Sequence, residues 1–93
     1  MSRVETLLGS LKENVARIDA ANKRIKELQS RKDLTREDEG LLQILYRNEF
    51  SLHMDNSSIY RKLMDELAQE NEFTQKRIAT QARKLLRAEL MDV

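Results

Sequence analysis

Apolar residues recur every seven positions at the start of the chain: Val4, Leu11, Ile18 and Ile25, with Leu7, Asn14, Ala21 and Leu28 in the companion position. Four sustained repeats are the a/d pattern of helices that pack side by side, and β-branched residues fill three of the four a positions. Ser2, with Glu5 three residues on, has the spacing of a capping box. The pattern predicts helix 1 over about 3–31, roughly 43 Å long at 1.5 Å per residue. Asn14 is the irregular member. It either sets register or oligomer state at a cost in stability, or marks where an Ala-rich stretch turns the seam toward Val15.

A break is expected at Lys32-Asp33-Leu34-Thr35, because Thr35 followed by Arg36-Glu37-Asp38-Glu39 is a helix start. The hydroxyl accepts from an orphan backbone N–H, and three acids complement the positive end of the helix dipole. Helix 2 is expected over about 36–54, with Gly40 inside it as a place where helix 1 comes close. Its apolar residues, Leu41, Leu42, Ile44, Leu45, Tyr46, Phe50, Leu52 and Met54, fall on nearly every side. That predicts the most buried part of the chain, or the part with two neighbours. Asp55-Asn56-Ser57-Ser58 compete for backbone hydrogen bonds and suggest a second break. Helix 3 then runs over about 57–91 and reads Ile59, Leu63, Leu67, Asn71, Thr74, Ile78, Ala82, Leu85, with Asn71 and Thr74 interrupting the apolar stripe. Without that break, a single helix of about 57 residues and 85 Å faces a partner half its length.

Composition sharpens this picture without changing it. Charged residues make up 35% of the chain and aromatics 4%, with no proline and two glycines, which favours thin helix-on-helix layers over a thick core. The fold class is therefore all-α: a long, a short and a long helix in residues 1–93. They form a single domain, arranged as an antiparallel coiled-coil-like hairpin or a three-helix bundle and completed by a second chain. Net charge is only +1 but is distributed in blocks. Residues 1–35 carry eight basic and five acidic side chains, 36–72 four and nine, and 73–93 five and two. A plus, minus, plus order suits a chain that folds back on itself or copies that stack antiparallel, with charge selecting register more than supplying stability. The absence of cysteine excludes disulfides, thiolate metal sites and a thiol nucleophile. No stretch approaches the ~20 apolar residues of a membrane span, and MSRVETLLGSLKENV does not read as a secretory signal. A cytoplasmic location is the expectation.

The chain carries no catalytic signature, and no cofactor or metal is expected. His53 is the single histidine and reads as structural on the face of Leu42, Tyr46 and Phe50. Gly9 and Gly40 are isolated and make no phosphate loop. The acids at 37–39 and 65–72 lack the spacing of a calcium loop. One segment stands out. Lys76, Arg77, Arg83, Lys84 and Arg87 interleave with apolar residues and meet no acid between Glu72 and Glu89, which makes a basic amphipathic helix. Since the end of helix 3 outruns what the chain itself can cover, Ile78, Ala82, Leu85, Leu86, Leu90 and Met91 are the expected partner-binding residues. The five basic side chains are the expected electrostatic contacts. No aromatic residue follows Phe73 to stack on bases, so nucleic acid is not favoured, nor is a membrane surface.

Arg36-Glu37 opening helix 2, with Leu63, Leu67, Asn71 and Gln75 at four-residue intervals on helix 3, resembles the all-helical chorismate mutases. The resemblance implies an enzyme whose active site draws on Arg36, Glu37 and Gln75, and it departs from that family in helix 1, where the matching place offers Lys12 or Val15. The first expectation is a non-enzymatic interaction protein: a small adaptor, assembly factor, chaperone-like partner or inhibitor. Its partner would be a second copy in a homo-oligomeric dimer, or another helical protein. The mutase-like enzyme is the alternative, and a basic helix touching membrane or nucleic-acid phosphates comes third.

Overall fold

The computed structural model describes residues 2–91, with side chains described through Arg87. The described chain is all-α, with three helices in order: α1 (Arg3–Gln29), α2 (Arg36–Leu67) and α3 (Glu72–Met91). Both expected helix starts are present. Ser2 Oγ accepts from Glu5 N at 3.2 Å, and Thr6 Oγ1 donates to the Ser2 carbonyl at 3.1 Å. At α2 the capping box is complete: Asp38 N donates to Thr35 Oγ1 and Thr35 N donates to Asp38 Oδ2, each at 3.1 Å. Asp38 also pairs with Arg31 across the loop at 3.1 Å. The backbone hydrogen bond from Thr35 holds the Asp38 carboxyl below its usual range, with the Thr35 hydroxyl and the Arg31 charge adding to it.

The expected break at 55–58 does not occur. α2 runs unbroken through Asp55-Asn56-Ser57-Ser58 and is the longest helix, not the shortest. Asn56 is only 2% exposed, and the apolar residues that follow it, Ile59, Tyr60 and Leu63, keep helical spacing against the core. Burial of that face outweighs the few tenths of a kcal/mol by which Asp, Asn and Ser disfavour helix at each position. The real break lies at Ala68–Asn71. Asn71 Oδ1 accepts from Thr74 N at 2.8 Å, and Gln75 Nε2 donates to the Glu70 carbonyl at 2.9 Å. The residues that interrupt the apolar stripe in sequence are thus the cap of α3.

α1 and α2 form an antiparallel hairpin. Arg3 pairs with Glu66 at one end (3.2 Å) and Arg31 with Asp38 at the other, so basic α1 meets acidic α2 in the register that the charge blocks favour. All four a positions of α1 are buried, each at 5% exposure or less. α3 turns back beside the hairpin, and its Ile78 and Ala82 join Val4, Leu8, Leu11, Leu63 and Leu67 in one core cluster. A second, smaller cluster at the loop end holds Ile25, Leu28 and Leu42, with Leu41 and Leu45 packed against it and nothing from α3. The molecule is therefore a three-helix bundle at one end and a two-helix layer at the other. Its extents are 55 × 18 × 18 Å, and its radius of gyration of 16.3 Å exceeds the ~12 Å of a compact chain of this length.

Between the two clusters lie the only buried polar residues among those described, Asn14 and Asn56. The Arg3–Glu66 pair and the approach of Asn22 to Glu49 set a register in which facing residue numbers sum to about 70. Asn14 and Asn56 share a level in that register. Gly40 does not mark a close approach of α1: a side chain there, and at Gly9, would meet nothing within 4 Å.

Candidate interaction surface

At 3.6 residues per turn, positions 46, 50, 53, 54, 57, 60, 61 and 64 form one continuous row along α2. α3 covers the C-terminal end of that row. Leu86 lines a groove there together with Ser57, Tyr60, Arg61, Met64 and Asp65. Beyond Ser57 toward the N-terminus the row has no third helix over it. Phe50 is 68% exposed, Met54 57% and Tyr46 47%. Three large apolar side chains at four-residue spacing on one uncovered face form a contiguous patch, and such patches mark contact sites far more often than scattered apolar residues do. Ile44 is also exposed but lies on another side of α2, apart from the row.

Polar groups fix the inner edge of this face. The Tyr46 hydroxyl accepts from Gln29 Nε2 on α1, which orients the ring across the hairpin seam. The Asn22 amide, with its nitrogen turned to the carboxylate, donates to both oxygens of Glu49 at 2.9 Å. Glu49 Oε1 also lies 3.5 Å from His53 Nε2, so His53 sits in a structural polar cluster at the seam. Among the described residues no group of three or more His, Cys, Asp or Glu is placed to hold a metal ion. No described helix is long and apolar enough to cross a membrane.

This geometry buries part of the contact surface expected on α3. Ile78 and Ala82 are 1% and 0% exposed within the chain's own core, and Leu85 and Leu86 are half-buried against it. They are covered at home because the break at 68–71 folds α3 back, whereas a helix starting at 57 would carry them away from the hairpin. The side chains of Leu90 and Met91 lie outside the described residues. Tyr46, Phe50 and Met54, expected in the most buried part of the chain or the part with two neighbours, are exposed instead. The signal was present as apolar residues on nearly every side of this stretch, more than one neighbouring helix can bury. Lys76, Arg77, Arg83, Lys84 and Arg87 are all exposed along the outer side of α3. There Lys76 pairs with Glu72 at 3.4 Å, and Phe73 is 76% exposed.

The mutase-like residues are not assembled within one chain. Arg36 and Glu37 open α2 at the loop end, while Gln75 follows the far end of α2, so nearly the whole helix of about 45 Å separates them. Compared with known proteins, the chain matches no family model, no curated protein and no solved structure.

Proposed function

We propose that this chain is a non-enzymatic protein–protein interaction module that receives a helix on the open face of α2. The observation that carries the reading is the half-filled groove of the α1–α2 hairpin. α3 closes one end with Ile78, Ala82, Leu85 and Leu86, and the same row continues uncovered through Met54, Phe50 and Tyr46. A helix in that groove, offering apolar residues at i, i+3 or i+4 and i+7, repeats what α3 already does. The module acts by side-chain packing, as an adaptor, assembly factor, chaperone-like partner or inhibitor does, and a cytoplasmic setting suits its lack of cysteine.

The test compares the wild type with Phe50→Asp, a change at an exposed position, with the fold of each checked by circular dichroism. Solution mass is measured for each protein alone, and retention of helical proteins is measured with each immobilised as bait. The expected result is that the wild type forms a complex, with itself or with a retained protein, and that Phe50→Asp loses it. A wild type that stays monomeric at high concentration, with retention identical to the variant, sinks the reading. A second reading draws on the exposed cations of α3 beside Phe73, which suit phosphate groups. Binding to anionic vesicles that falls steeply as salt rises, and is lost on Arg83→Glu with Arg87→Glu, is its signature.

A further inference from the structure

The open face of α2 is nearly symmetric about Phe50 in its apolar residues and its outer charges. Along this row lie Arg36, Glu39, Tyr46, Phe50, Met54, Arg61 and Asp65, all on one side of the helix at 3.6 residues per turn. Phe50 stands at the centre. Tyr46 and Met54 flank it four residues away on each side, Glu39 and Arg61 lie eleven residues away, and Arg36 and Asp65 lie fourteen and fifteen away. The four charged residues are exposed, and among the described residues none of them takes part in an ion pair within the chain. Tyr46 thus mirrors Met54, Glu39 mirrors the oppositely charged Arg61, and Arg36 falls one residue from the mirror position of Asp65.

We infer that the occupant of this face is a second copy of the chain, with α2 lying antiparallel to the partner's α2 about a two-fold axis at Phe50. This inference rests on the reading that the open face is a protein contact. A two-fold contact requires a self-complementary patch, in which residue i meets j and j meets i. Antiparallel pairing about Phe50 supplies it. Tyr46 faces Met54 twice, Glu39 faces Arg61 twice, and Arg36 lies within one residue of Asp65 twice. A parallel arrangement would instead set each charge against its own kind, Glu39 on Glu39 and Arg61 on Arg61, which is unfavourable. The pairing also continues an existing interface. The start of the second α2 runs along the groove that Leu86 makes with Tyr60 and Met64, beside α3. The two-helix layers then stack into a four-helix centre, and at each outer end the three-helix bundle of one copy meets the loop end of the other.

The test is charge reversal with mixing, read as the dimer dissociation constant by sedimentation at low salt. The wild type is expected to dimerise. Glu39→Arg and Arg61→Glu, each at an exposed site, are each expected to weaken the dimer roughly tenfold or more, since each turns two attractions into two repulsions. Mixing the two variants restores association. One chain then carries a cation at both positions and the other an anion at both, so opposite charges meet again at the two symmetric contacts. A Phe50→Cys chain, otherwise free of cysteine, is expected to oxidise to a covalent dimer. A monomeric wild type overturns the inference, as does a dimer that ignores both reversals or is not restored by mixing. If a monomeric wild type instead retains another helical protein, and Phe50→Asp releases it, self-pairing fails while the interaction module stands.

Discussion

Asn14 and Asn56 are where single residues decide most about this chain. Each is a buried amide at the same level of the hairpin, between two apolar clusters. A polar layer costs stability but penalises every register in which one amide faces hydrocarbon. Asn14→Leu alone is expected to cost about 1–3 kcal/mol in urea unfolding, because the remaining buried amide gains an apolar neighbour. Asn14→Leu with Asn56→Leu is expected to recover most or all of that loss, and a double-mutant cycle reads the coupling directly. Strictly additive losses would show that the two amides act independently. Asp38 makes a prediction in pH. Its folded carboxyl titrates below the ordinary carboxylate range, chiefly through the Thr35 backbone hydrogen bond. Its contribution is therefore complete above the unfolded carboxylate pKa and disappears as pH falls through the lower, folded value. Asp38→Asn should flatten that part of the stability–pH curve, and an unchanged acid limb in the variant would contradict the assignment. Gly9 and Gly40 are helical, with open space where a side chain would go. Changing each to Ala is expected to add about 0.5–1 kcal/mol, a rise of several degrees in Tm for a chain this size.

At the scale of the element, the junction of α2 and α3 determines which surface is exposed. Ala68-Gln69-Glu70-Asn71 contains no glycine or proline, and its first three residues are good helix formers. The turn is held by the Asn71 cap, by Gln75 reaching back to Glu70, and by burial of Ile78 and Ala82. Asn71→Ala removes the cap and is expected to cost about 0.5–2 kcal/mol, with loss concentrated in α3. Limited proteolysis that cuts the variant between α2 and α3 faster than the wild type would show it; equal cutting would mean that core packing alone holds the turn. This junction also marks how far the sequence could be read. α1 was legible because all four of its a positions obey the heptad, and every one of them is buried. The start of α2 was legible because Thr35 and Asp38 signal locally. The α2–α3 boundary was not, because two local signals competed. Asp55–Ser58 looks like a cap and is overruled by burial of Asn56, while Asn71 looks like a gap in a stripe and is a cap. Once that boundary shifts by about a dozen residues, Ile78 and Ala82 are buried and the large exposed apolar side chains lie in the middle of α2. A single sequence shows that Tyr46, Phe50 and Met54 are apolar. Which half of α2 lacks a third helix depends on where α3 turns back.

For the whole molecule, the unequal ends predict unequal stability along the 55 Å axis. The three-helix end buries side chains from all three helices, with Leu11, Leu63 and Ala82 at 0% exposure. The loop end has only Ile25, Leu28 and Leu42 buried, with no third layer over them. Local opening follows the density of buried apolar contact, so the loop end should open at lower free energy than the bundle end. Amide hydrogen exchange on dilute protein is expected to show this as a gradient. Segments from 25–29 and 36–45 should exchange before those spanning 4–11 and 59–67. Leu11→Ala, which empties a fully buried position, is expected to cost about 2–5 kcal/mol and to raise exchange at the bundle end above that of the wild type. Covering the open row has the opposite effect, and only where it is covered. If two copies pair about Phe50, raising the concentration through the dimer range should slow exchange over 43–57 while the 30–34 loop stays fast. Uniform protection along the axis in dilute protein would contradict the two-ended core. Concentration-independent exchange over 43–57, despite a measured dimer, would mean that the two copies meet on another face.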